Sequence, residues 1–155
     1  DIFISHTYMD HFIGFDALLR VALGRGKTVR LHGPPGIISN VQGKLHGYTW
    51  NLVDGYPLTI TVQEFHEQTI RRATFLATDG FQRHDAPEGA PINRQAGHRF
   101  SVLADPMFTV EAVALNHRIP SLAYSLQEQF HVNVNKERLH EVGLPVGYWL
   151  KEVKQ

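Results

Sequence analysis

The chain has 155 residues and carries 15 Lys+Arg against 15 Asp+Glu, a formal net charge of +0 with neutral histidines. That length bounds it to one domain or one piece of a larger one. Hydrophobic residues make up 43%, enough apolar surface to exclude intrinsic disorder, and the absence of cysteine excludes disulfide scaffolds, Cys-based zinc ribbons and thiol nucleophiles.

Asp1 to Ser5 reads as a short buried strand around Ile2-Phe3-Ile4, starting with no lead-in. His6 to His11 reads as a polar loop. Phe12, Phe15, Leu18, Leu19, Ala22 and Leu23 recur at helical spacing, which predicts an amphipathic helix ending at Gly24–Gly26. Thr28 to His32 is a strand. Gly33-Pro34-Pro35-Gly36 is a rigid turn, and Ile37 to Leu45 is the helix after it. Leu58 to Val62 alternates as a half-buried strand does, and Ile70 to Thr78 is another strand. Residues 81–97 are rich in Pro, Gly and charge, and read as a loop excursion. Phe108 to Leu115 is a strand with Phe108, Val110, Ala112 and Ala114 on one face, and Ile119 to Gln127 is a second. Asn135 to Val142 is a short helix closed by Gly143. Strands with interspersed helices predict a layered α/β or α+β architecture in a single unit over 1–155.

No apolar run approaches the roughly 20 residues of a membrane helix, and no basic lead-in marks a signal peptide. The expectation is a cytoplasmic protein that does not enter a membrane. Charge is unevenly spread: from Ala17 to Val53 there is no acid, but Arg20, Arg25, Lys27, Arg30 and Lys44 are present. From Asp54 to Asn135 the acids lead. The early basic stretch suits either a polyanion-facing wall or an ordinary solvated face.

Ten histidines are scattered through the chain. The string that carries chemistry is Ser5-His6-Thr7-Tyr8-Met9-Asp10-His11, between an apolar strand and an amphipathic helix. Imidazole nitrogen and carboxylate oxygen are donors that suit zinc and similar divalent ions. A strand end presenting several within six residues can aim them into one cavity. Taken alone, two His and an Asp on a loop are more often surface residues. His32 reads as a satisfied structural histidine. His66-Glu67 reads as a turn, and His84 and His98 as exposed loop residues. His46, His131 and His140 have no partner pattern. Trp50 and Trp149 read as core or edge aromatics.

The string resembles the His-x-His-x-Asp-His signature of the metallo-β-lactamase fold, with Tyr8 where that signature has its second His. Phe12-Ile13-Gly14-Phe15-Asp16-Ala17-Leu18-Leu19 resembles the phrase that follows it. Leu31-His32-Gly33-Pro34-Pro35-Gly36 resembles the Gly-Pro segment of ribonuclease Z and its relatives. Leu115 to Tyr124 resembles the phrase in which that family presents its next metal-binding His. Asn135 to Gly147 resembles the continuation. The resemblance implies an αββα sandwich, incomplete here at both ends, and a metal-dependent phosphodiester hydrolase. It implies His6 and His117 as ligands of a first metal, Asp10 and His11 as ligands of a second, and Asp10 as the group that orients or deprotonates the attacking water. Zinc is the implied cofactor, in one or two ions, and precursor tRNA the leading substrate. A homodimer is compatible.

The resemblance also implies a shortfall. Tyr8 weakens the first metal site, because a phenol with a free pKa near 10 is a poor ligand at neutral pH. The family supplies a bridging Asp and a last His beyond the stretch that corresponds to Gln155. The rival expectations are a related hydrolase of small esters or sulfates, and a degenerate, non-catalytic member that binds a partner.

Overall fold

The computed structural model describes residues 1–87, 89–92, 99–129 and 134–152. Strand β1 (Ile2–Phe3) leads into helices α1 (Met9–Phe12) and α2 (Gly14–Ala22). Strand β2 (Thr28–Gly33) and helix α3 (Ile37–His46) follow, then β3 (Thr59–Phe65) and β4 (Thr69–Leu76). Short strands β5 (Arg83–Asp85) and β6 (Ala90–Pro91) precede β7 (Phe100–Ala104), β8 (Phe108–Asn116) and β9 (Pro120–Glu128). Helices α4 (Lys136–Glu141) and α5 (Trp149–Glu152) complete the described elements.

Two sheets result. The first runs β1-β2-β3-β4-β5, with β6 also on β4; the second is β7-β8-β9. Strands β1, β2 and β3 are parallel, and β4 returns antiparallel. Parallel neighbours need crossover connections, which α2 and α3 provide. Phe12, Phe15, Leu19 and Ala22 are buried at helical spacing, and so are Ile37, Ile38, Val41 and Leu45. They pack with Leu31, Ile60, Val62, Ala73 and Phe75 in one core. Phe65, Phe100, Ala112 and Leu122 form a second core that joins the two sheets. The architecture is a mixed α/β sandwich of the metallo-β-lactamase type.

The structure departs from the sequence expectations in three places. Asp10 and His11 lie on α1 rather than in a loop, because the Tyr8 carbonyl accepts the N–H groups of both His11 and Phe12 at 3.0 Å. The 81–97 stretch is partly built into the fold. Phe81 is buried against the Trp50 ring, 4.7 Å between centroids, and β5 and β6 extend the first sheet. The rest of that stretch, position 88 and positions 93–97, lies outside the described residues. Strand β7 is an addition, pairing with β8 through an irregular register near Ser101 and Leu103.

Candidate metal centre

His6 stands just past the end of β1. The Ile4 N–H donates to the His32 carbonyl at 2.8 Å, prolonging the β1–β2 contact, and the Leu122 N–H donates to the Ser5 carbonyl at 2.9 Å. The strand exit is thus held by both sheets, and the next side chain projects from a fixed backbone. His6 is buried, and its Nδ1 lies 3.0 Å from Ser5 Oγ. When Nδ1–H donates to that hydroxyl, Nε2 carries the bare lone pair. Among the described residues, His6 Nε2 is buried without a hydrogen-bond partner, as is His32 Nδ1. An orphaned buried acceptor is rare and points to something outside the protein that satisfies it.

His117 arrives from the far end of the chain on the β8–β9 hairpin, whose last register pair is Asn116 with Pro120. Asn116 Oδ1 accepts the Arg118 N–H at 3.0 Å, and Arg118 takes φ 62, the left-handed conformation that such a tight turn needs. The ring of His117 comes to 5.2 Å from that of His6, centroid to centroid. The His11 ring lies 4.3 Å from His6 on another side. Tyr8 meets His6 edge-on at 4.8 Å and His117 at 5.8 Å. Asp10 Oδ2 is 3.5 Å from His11 Nε2, on a side chain that is 75% exposed.

Burial lowers the His6 pKa, with His11 and His117 adding to the effect and Asp10 opposing it. A neutral imidazole is the metal-binding form. The imidazole face therefore suits zinc in donor type, tautomer and protonation state. It does not complete a site: among the described residues, no group of three or more His, Asp or Glu side chains is arranged to hold an ion. The phenol of Tyr8 lies against His6 and His117, where a further imidazole would have added a donor.

Other histidines lie elsewhere. His32 is fully buried, stacks on Phe3 at 5.0 Å and places Nε2 2.9 Å from Asp1 Oδ1. His66 pairs with buried Glu64, and His84 with Asp79. His46 and His140 are exposed, and His98 and His131 lie outside the described residues. Trp50 packs against the main core, whereas Trp149 is 36% exposed on α5. One residue of interest was not expected. Arg118 lines a cleft of about 620 Å³ together with Tyr8, Asn116 and His117, placing a guanidinium at the mouth of the cluster. Its adjacency to His117 was the available signal.

No family model matches the chain. It is similar to the ribonuclease Z of Deinococcus radiodurans, 32% identical over 154 residues that make up 99% of this chain and 45% of that protein. It is 28% identical to the zinc phosphodiesterase ELAC protein 1 of Mus musculus, over 94% of this chain and 43% of that protein. A ribonuclease Z of Methanococcus aeolicus is 27% identical over 99% of this chain and 38% of its own length. The chain thus spans less than half the length of these curated relatives. With the sandwich, the Tyr8-modified histidine string and the return of His117 to it, this similarity makes the chain a ribonuclease Z-like member of the metallo-β-lactamase superfamily.

Proposed function

We propose that the intact protein is a metal-dependent phosphodiester hydrolase that cuts precursor tRNA near its 3′ end. The observation that carries this reading is the meeting of His6, His11 and His117, with His6 Nε2 buried and unpartnered among them. The names of the relatives support the reaction class, and one of those names carries zinc. The three imidazoles and Asp10 would supply part of the donor set, and the remaining donors would come from outside the described residues. A bound divalent ion supplies Lewis acidity and a nucleophilic water at neutral pH. The chain's own contribution is positional. Ser5 would hold the His6 tautomer that leaves Nε2 bare, the Leu122–Ser5 hydrogen bond holds the approach of the two sheets, and Asp10, 3.5 Å from His11, would take a proton from water. Arg118 at the cleft mouth offers a charge-assisted hydrogen bond to a phosphate oxygen.

The test incubates the intact protein, with zinc and with manganese, on a tRNA precursor bearing a 3′ trailer and on bis(p-nitrophenyl) phosphate. Cleavage of the precursor at the trailer junction, abolished by His6→Ala, is expected. Turnover of the small diester alone would replace the tRNA reading with a small-substrate hydrolase. A second reading has its own observation. Tyr8 in ring contact with both His6 and His117 fits a member that has lost the reaction and kept the fold. Absence of turnover on both substrates, with metal supplied, would select it.

A further inference from the structure

A second cationic feature lies away from the histidines. Along its outer edge, β4 is covered by β5 at positions 73–75 and by β6 at positions 69–70. Past β5, the Ala86 N–H donates to the Arg72 carbonyl at 2.9 Å, so the interval between the two short strands narrows to Arg71. A cleft of about 640 Å³ opens there, lined among the described residues by Thr69, Arg71, Arg72, Arg83, Asp85 and Gly89. A Cβ on Gly89 would come within 2.4 Å of the Ile70 carbonyl oxygen, so glycine is what lets the backbone at Gly89 approach the strand this closely.

Three guanidiniums face one carboxylate in this cleft. Arg83 is oriented, its Nε 2.7 Å from Asp85 Oδ1 and its Nη1 3.4 Å from Gln42 Oε1. The side chains of Arg71 and Arg72 are exposed and make no hydrogen bond or ion pair among the described residues. Glu64, the register partner of Arg71, directs its oxygens to the Ile38 N–H and to His66 instead. Among the described residues, Asp85 offsets Arg83 only, and the charges of Arg71 and Arg72 are left without a partner in the cleft. No aromatic side chain lines it, so it has no platform for stacking a base.

Its position gives the cleft a meaning. Register places Arg72 opposite Gln63, Gln63 opposite His32, and His32 opposite Phe3. Arg72 thus shares a cross-strand row with Phe3, at the end of β1 that leads to His6, and Arg71 lies in the next row, opposite Glu64 and Gly33. Three strand spacings of about 4.8 Å set them roughly 14 Å to one side.

We propose that the Arg71–Arg72–Arg83 cleft binds phosphate groups of the RNA backbone and holds the polymer along the sheet edge that leads to the histidines. The choice of RNA rests on the function proposed above. Contacts of this kind position a nucleic acid without reading its sequence.

The test measures binding of the intact protein to a mature tRNA without a 3′ trailer, by fluorescence anisotropy over a salt series. The double substitution Arg71→Ala/Arg72→Ala is expected to weaken affinity by about tenfold or more and to flatten the slope of log K against log salt by about 1 to 2, the loss of one or two phosphate contacts. Arg71→Lys/Arg72→Lys should keep most of the slope, and Lys136→Ala, which removes an exposed cation on α4 outside the cleft, should bind as the unmodified protein does. That pattern supports the cleft even if no precursor is ever cut, which separates its fate from that of the hydrolase reading. An unchanged affinity and slope in the double Ala variant, with thermal stability also unchanged, would overturn the proposal. So would a loss of affinity with an unchanged slope, or no tRNA binding by the unmodified protein.

Discussion

Tyr124 places its hydroxyl 3.0 Å from the carbonyl oxygens of both Ile4 and His32, so one phenol on β9 ties together the two strands that lead to the candidate site. Burial raises the Tyr124 pKa, so the hydroxyl keeps its proton and remains a donor throughout the physiological range. The same strand supplies the Leu122 N–H to Ser5, and the hairpin turn that leads into it carries His117. The position of His117 relative to His6 is therefore set by β9 rather than by contacts between the imidazoles.

Tyr124→Phe keeps the ring and removes the tie. It should cost about 1 to 2 kcal/mol, the usual worth of a partly buried hydrogen bond with its acceptors left short. It should also move the ring signals of both His6 and His117 in NMR spectra, although neither touches Tyr124. A variant as stable as the parent, with both signals unmoved, would mean that the two sheets are registered by packing alone.

Tyr8→His restores an imidazole to a position in ring contact with His6 and His117. Zinc affinity should rise by at least about tenfold, since each protein donor replaces a water in the ion's shell. Competition against a chromogenic chelator measures it. His6→Ala should lower affinity in the same assay. Equal affinity for the Tyr8→His variant and the parent would show that Tyr8 does not limit metal binding.

Burial lowers the His32 pKa from 6.5 to about 4, with Arg30 acting in the same direction against the Gln63 side chain, which favours the protonated ring. The folded state therefore stays neutral where the unfolded state takes a proton. The contribution to stability is full above pH 6.5, falls as pH drops through the window from 6.5 to about 4, and is constant below that. The shift corresponds to about 3 kcal/mol at most. Urea midpoints at pH 7, 5.5 and 4.5 should fall more steeply for the parent than for His32→Gln. Parallel slopes would place the acid sensitivity elsewhere.

Much of this was legible in the sequence because periodicity carries it. The alternation in β3 and β8 and the spacing of Phe12, Phe15, Leu19 and Ala22 named both the element and its buried face. The start of α1 was hidden because Met9, Asp10 and His11 are exposed and show no apolar periodicity; the helix is set by carbonyl geometry at Tyr8, which leaves no hydrophobic pattern. Strands β5 and β6 are too short to alternate, and their places are fixed by pairing with β4. The meeting of His6 with His117 came from resemblance, not from pattern. The contacts that enforce it, Tyr124 to Ile4 and Leu122 to Ser5, join residues more than a hundred positions apart and have no local signature. The arginine cleft was invisible for the same reason, since Arg83 meets Arg71 and Arg72 only through the strand edge.

The Gly33-Pro34-Pro35-Gly36 turn needs its two glycines for different reasons, and substitution separates them. Gly36 precedes α3 with φ 96, and a Cβ there would meet nothing within 4 Å. Gly33 has no unusual φ, but a Cβ would lie 2.9 Å from Ile37 Cγ1, on a side chain with no exposed surface. Gly36→Ala should therefore cost roughly 1 to 2 kcal/mol through the backbone alone, and Gly36→Asn less, because Asn tolerates the left-handed region better. Gly33→Ala should act through packing, since Ile37 must move and the adjacent Ile38 N–H is held by Glu64 at 3.0 Å. Adding Ile37→Ala, which removes Cγ1 and Cγ2, should cost less in the Gly33→Ala background than in the Gly36→Ala background, where it should cost about 2 to 5 kcal/mol, the ordinary cost of Ile→Ala in a core. Thermal denaturation of the four variants measures both effects. Equal, additive losses from Ile37→Ala in the two backgrounds would show that Gly33 too is required for its backbone and not for the space it leaves.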